Sequence, residues 1–218
     1  MLLRWWPPFA LMLCLLLPAM RAVAHPHVFV EVGLRFSADA QGRFTGVEVT
    51  WVYDDFFSLL ILTERGLDPD GDGHLTASEE AKLEGFDLEN WPDWFEGDLY
   101  LHHGGGKLQL GPAKALSATV VNGRIVTRHR RAFGPVPGDG LKVSPFDPTY
   151  YVSHRLKGDV VLPEGCTGTV IPPDPDTAAR EMQRLIDEAE VAPEKMFEVV
   201  QVGALHADRL EVSCAPGS

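Results

Sequence analysis

Two consecutive segments near the start of the chain repeat their hydrophobicity every second residue, and this period limits the fold more than any other feature. His27 to Phe36 (HVFVEVGLRF) sets Val28, Val30 and Val32 against His27, Phe29 and Glu31, the pattern of a strand with one face buried. Arg43 to Tyr53 (RFTGVEVTWVY) repeats it after the Gly- and Asp-containing loop SADAQG, so the pair reads as a β-hairpin. Short strand-like runs return at 98–102, 115–122, 123–132, 150–156, 159–162, 166–171 and 204–214.

Helical spacing interrupts this pattern twice. Asp54 to Leu67 places Phe57, Leu60, Ile61 and Glu64 at helical intervals, with Asp54 and Asp55 as capping residues, and a second helical piece lies around Ala77 to Gly85. Thr177 to Val191 aligns Met182, Leu185, Ile186 and Ala189 on one face behind Asp176 as N-cap. The expected architecture is an α+β fold. It is a mainly antiparallel β-sheet domain with an inserted EF-hand-like helix-loop-helix at about 54–90 and a C-terminal helix.

Between the first two helical pieces stands Asp68 to Glu79, DPDGDGHLTASE. Asp68, Asp70 and Asp72 occupy positions 1, 3 and 5 of a twelve-residue calcium loop. Gly73, His74, Thr76 and Glu79 occupy positions 6, 7, 9 and 12. A hard cation needs oxygen ligands, and carboxylates at alternate positions wrap one side of it. Gly73 allows the sharp turn, His74 offers its backbone carbonyl, Leu75 packs inward, and Glu79 can give both oxygens. These residues define an expected calcium site; an acidic turn with no bound ion is the competing reading.

The first 24 residues have the form of a cleaved export signal. Arg4 precedes the apolar run FALMLCLLL, Pro18 breaks it, and Ala22-Val23-Ala24 fits a small-x-small cleavage site. The apolar run is shorter than the roughly 20 residues that span a bilayer. The expected product is a periplasmic protein, residues 25–218, with no membrane insertion after processing. Cleavage removes Arg4 and Arg21 and no acid, taking the formal charge from −12 to −14. This balance excludes a nucleic-acid partner, which would need a basic stripe. Cys14 leaves with the signal, so Cys166 and Cys214 remain for a disulfide in an oxidising compartment. Metal ligation by these cysteines is the other use open to them.

Processing after Ala24 would give His25 a free α-amine, two residues from His27. In an extended chain the two rings face the same side. Pro26 has no N–H to lose, which excludes the square-planar site wrapped by deprotonated amides. What remains is the amine plus the His25 ring, with His27 as a further ligand for Zn, Cu, Ni or Co. A frayed terminus that binds nothing is the alternative. Asp54 is a weaker candidate third ligand. The other histidines read as ordinary: His129 in a solvated basic patch (RHRR), His154 on a strand surface, and His102, His103 and His206 without a ligand role. With no G-x-S-x-G, H-E-x-x-H or phosphate loop, the chain does not read as an enzyme.

Together AHPHVFVEV, TWVYDDFFS, the single calcium-type loop, FDPTYYV and HADRLEVSC resemble a bacterial family of exported proteins. It is a domain-of-unknown-function family described as the periplasmic component of an ABC-type transport system. The resemblance implies association with nickel/cobalt-type metal transport, and His25, His27, Asp54, Asp147 and Tyr150 fall at the family's recurrent positions. The resulting expectation is a periplasmic metal-binding accessory of a transition-metal transport system, with a structural calcium ion and a membrane metal transporter as partner. A calcium-stabilised interaction module without its own transition-metal site is the alternative. A histidine-brace copper oxidase is a more distant one.

Overall fold

A computed structural model describes residues 26–92, 95–191 and 202–215. The expected signal at 1–24 and the candidate ligand His25 lie outside the described residues. The hairpin forms as the alternation requires. β1 (Val28–Ala38) and β2 (Phe44–Tyr53) pair antiparallel from Val30 opposite Tyr53 to Ala38 opposite Phe44. Val28, Val30, Val32, Leu34 and Phe36 all face the core.

This hairpin is the middle of a six-stranded sheet. On the β2 side follow β6 (Arg124–Val136) and then β5 (Lys114–Val121), both antiparallel. On the β1 side, β8 (Val152–Arg155) and β9 (Val160–Val161) pair parallel to β1. A second sheet runs in the order β10 (Cys166–Ile171), β11 (Arg209–Cys214), β7 (Lys142–Pro145), β3 (Leu99–His103) and β4 (Gly106–Lys107). One hydrophobic core draws on both sheets, with Val32, Val47 and Ile125 from the first and Leu101, Val143 and Leu210 from the second. Cys166 and Cys214 are cross-strand partners joined by a disulfide.

The expected α+β domain with an inserted EF-hand-like helix-loop-helix is corrected by this architecture. Strands in two sheets dominate, and the helices are short. α1 (Asp55–Arg65) has eleven residues and α2 (Ala77–Leu83) only seven, after which Phe86–Leu88 forms a single 3₁₀ turn. The two helices do not build a module of their own, because each spends its buried side on the sheet. The buried Ser58 hydroxyl of α1 accepts the Ile125 N–H of β6 at 2.9 Å. In α2, Glu80 takes the Thr119 hydroxyl of β5. Ser58 and Leu62 are the buried residues of α1, whereas Leu60, one of the residues at helical intervals, is exposed.

α3 (Pro175–Val191) is the expected C-terminal helix, started two residues earlier than the sequence suggested. Proline suits the first helical position, where its missing N–H costs nothing. The capping group is Asp174 and not Asp176: its carboxylate accepts the Asp176 N–H at 3.1 Å and the Thr177 hydroxyl at 2.6 Å.

Gly203 holds the turn at Asp147 against the C-terminal segment. Its N–H donates to the Pro148 carbonyl at 3.0 Å, and an added Cβ would lie 1.7 Å from the Asp147 carbonyl oxygen. Gly203→Ala therefore forces two backbone segments apart, and overpacking of this kind costs on the order of 3 kcal/mol. Urea denaturation should show the midpoint falling without a change in slope; an unchanged midpoint would refute the close approach.

Candidate functional site

Three of the expected calcium ligands come together. One carboxylate oxygen from each of Asp68, Asp70 and Asp72 lies within 4.8 Å of the others. The loop is folded around Asp68, whose two oxygens accept the Asp72 N–H at 3.0 Å and the Gly73 N–H at 3.1 Å. His74 is exposed and donates its N–H to Asp72 at 2.8 Å. Leu75 packs against the core, as expected. Glu79 is turned towards its own helix start: one oxygen accepts the Thr76 N–H at 2.8 Å and the other the Asp68 N–H at 3.2 Å. The Thr76 hydroxyl bond, first among several, holds the Glu79 carboxyl below its usual range.

Of the residues expected at the amino-terminal metal site, His27 and Asp54 are described and stand just before β1 and just after β2. Asp54 is the N-cap of α1; one oxygen accepts the Phe57 N–H at 2.8 Å and the other the Phe29 N–H at 2.7 Å. The carboxylate therefore ties the helix start to β1. His27 donates its backbone N–H to the Tyr151 carbonyl at 2.9 Å, and its ring lies 4.9 Å from the Tyr151 ring. Asp147 accepts the Thr149 N–H at 2.8 Å and the Val152 N–H at 3.0 Å. Tyr150 holds φ at 60°, a conformation rare for a bulky side chain, with its ring stacked 4.2 Å from that of His206.

Tyr151 also lines a cavity of about 440 Å³ between α1 and the β1–β8 edge of the sheet. Here the structure departs most from the sequence reading. His154, expected on a strand surface, is 5 % exposed, and His129, expected in a solvated patch, is 1 % exposed. The period of β6 explains His129: Ile125, Thr127, His129, Arg131 and Phe133 alternate inward, so the basic look of RHRR hides a buried face. That alternation was the available signal. Arg131 remains satisfied by the Gly111 carbonyl at 2.8 Å and lies over Trp91.

Asp98, missed entirely, stands at the entrance to β3 with φ at 51° and is 7 % exposed. Its carboxylate lies 3.9 Å from the His154 ring, and both residues line the cavity. Among the described residues, Asp98 Oδ1, His154 Nδ1 and both ring nitrogens of His129 have no hydrogen-bond partner. By contrast, the nearby Asp87 is bonded to the Tyr53 hydroxyl at 3.0 Å and to that of Thr127 at 2.5 Å. Unpaired buried polar groups cost free energy, and here four such atoms are gathered on three neighbouring side chains. Burial, with the nearby Asp147 charge adding to it, pushes the Asp98 carboxyl up to about 8. Burial holds His129 and His154 down to about 4.

The molecule is thus a two-sheet β protein with an acidic loop on one flank and a buried Asp–His cavity beside its central hairpin. Residues 10–214 match the model of a family described as protein of unknown function (DUF1007), and the chain belongs to that family. No curated protein matches it. Among the described residues, no helix is long and apolar enough to cross a membrane.

The shifted groups set the sign of a pH dependence. Between about pH 4 and 8 folded Asp98 keeps a proton that the unfolded chain has lost, so its contribution to stability declines as pH rises. Burial raises Asp87 as well, with the same sign. His129 and His154 act oppositely from about 4 to 6.5, where only the unfolded chain is protonated, and are level above that. From pH 6.5 to 8 the Asp98 contribution should fall by up to about 1.4 kcal/mol per pH unit. Melting curves should show this decline in the wild type and a clearly shallower one in Asp98→Asn; an equal decline in both would refute the assignment.

Proposed function

We propose that the protein is an exported, calcium-stabilised metal-binding accessory of a membrane transition-metal transport system, acting by binding and not by catalysis. The observation that carries this reading is the convergence of Asp68, Asp70 and Asp72, a hard-oxygen donor set within 4.8 Å. Three carboxylates held this close repel one another, and a divalent cation removes the repulsion. The oxygen donors suit calcium over the softer transition metals. The Cys166–Cys214 disulfide agrees with an oxidising compartment. In this reading the terminal histidines, His25 and His27, capture the transition metal beside the Asp54 edge.

Calcium should raise the melting temperature, since a ligand at a hundredfold excess over its Kd stabilises by about 2.7 kcal/mol. Asp70→Ala combined with Asp72→Ala should abolish that response without lowering the melting temperature in chelator. A calcium response that survives the double substitution would rule out the loop as the site. For the transition metal, calorimetric titration with Zn, Ni, Co and Cu should use protein carrying its processed terminus. One ion per chain is expected, lost in His27→Ala; equal affinity in the variant would refute a role for His27.

A second reading has its own observation. Phe56, Leu59 and Leu60 are exposed along α1, with Phe29 exposed on the adjoining strand. Apolar residues presented together favour an interaction surface, as in a calcium-stabilised module that contacts the transporter without binding its metal.

A further inference from the structure

We propose that the cavity between α1 and the β1–β8 edge is a binding site for a small quaternary ammonium ion, seated among aromatic rings with the Asp98 carboxylate as its counter-charge. This site is separate from the acidic loop, and it adjoins His27 only through the Tyr151 ring.

Its walls are aromatic. Trp51, Tyr53, Phe86, Trp91 and Tyr151 line about 440 Å³, a volume in the range of small-molecule sites. Three of these rings are in contact: Trp51 lies 6.4 Å from Tyr53, and Tyr53 lies 5.8 Å from Phe86. Such rings attract a cation through their negative faces, most strongly where water is excluded. The lining already receives cations, with Arg65 placed 5.3 Å from the Phe86 ring centre and Arg131 placed 5.7 Å from that of Trp91.

The polar groups narrow the ligand class. The side chains of Asp98 and His154 are 9 % and 3 % exposed, both line the cavity, and Oδ1 of the first and Nδ1 of the second are unpartnered among the described residues. A transition metal would need a third ligand, and no third His, Cys, Asp or Glu joins these two among the described residues. An anion finds Arg65 in the lining, but that guanidinium lies over Phe86, and the anion also meets Asp87, with Asp147 close to Asp98. A primary ammonium needs three acceptors, more than these two unpartnered atoms supply. A quaternary ammonium needs none and is held by the rings and one carboxylate. Burial with the neighbouring Asp147 disfavours the charge on Asp98 without a ligand, and a bound cation relieves that cost.

The test is a titration of the full protein at pH 8.5, where Asp98 is ionised, followed by tryptophan fluorescence. Choline and tetramethylammonium are the ligands, and 3,3-dimethylbutan-1-ol, the uncharged carbon analogue of choline, is the control. Saturable binding of both cations is expected, with the control at least tenfold weaker. Asp98→Asn should weaken choline at least tenfold while tolerating the left-handed backbone, and Trp91→Ala should do the same. Equal binding of choline and its carbon analogue overturns the proposal, and this comparison needs no variant. So does unchanged affinity in Asp98→Asn, or the absence of saturable binding by either cation. Calcium binding at the acidic loop is read separately by melting temperature, so either reading can fail without the other.

Discussion

The pairing of β1 on both of its edges is the constraint from which the rest follows. On one side β2 is its hairpin partner, antiparallel and local in sequence. On the other, β8 and β9 arrive from more than a hundred residues away and pair in parallel. A strand paired on both edges has most of its backbone groups bonded within the sheet, and its inward valines are buried. This interior position brings Tyr151 and His154 beside residues that the hairpin and its following helix already hold.

The helices depend on the same strand. Asp54 closes the end of β2 onto β1 through Phe29 and at the same time caps α1 through Phe57. One carboxylate thus sets both the end of the hairpin and the direction of the helix that follows. Ser58 then binds α1 to β6, leaving the cavity between helix and sheet edge. The acidic loop hangs from this helix, anchored by Leu67 and Leu75 against the core. The loop and the cavity are consequently neighbours in sequence order but stand on different supports: the loop on local hydrogen bonds around Asp68, the cavity on long-range sheet pairing.

Elements whose stabilising contacts are local could be read directly. The alternation of β1 and β2, the cap at Asp54, the turn chemistry of Asp68 to Gly73 and the C-terminal helix all lie within a few residues of the groups that define them. The disulfide followed from the two cysteines that remain in a chain expected to be exported. The helix-loop-helix did not follow, because a loop pattern carries no information on whether its flanking helices pack on each other or on a sheet. His129 was hidden by three flanking arginines, although its inward neighbours Thr127 and Phe133 shared its face. Asp98 carried no signal of its own in EGDLY.

By itself the sequence determined the central hairpin, the three clustered carboxylates, the acidic charge and the paired cysteines, since each rests on residue type and short spacing. Only the tertiary structure decided that β8 runs parallel beside β1, that α1 and α2 lie on the sheet as separate short helices, and that Asp98 and His154 meet in an aromatic cavity. Burial and long-range pairing are properties of the whole chain, set when distant strands exclude water together. A local window contains the side chains that take part but not the partners that bury them.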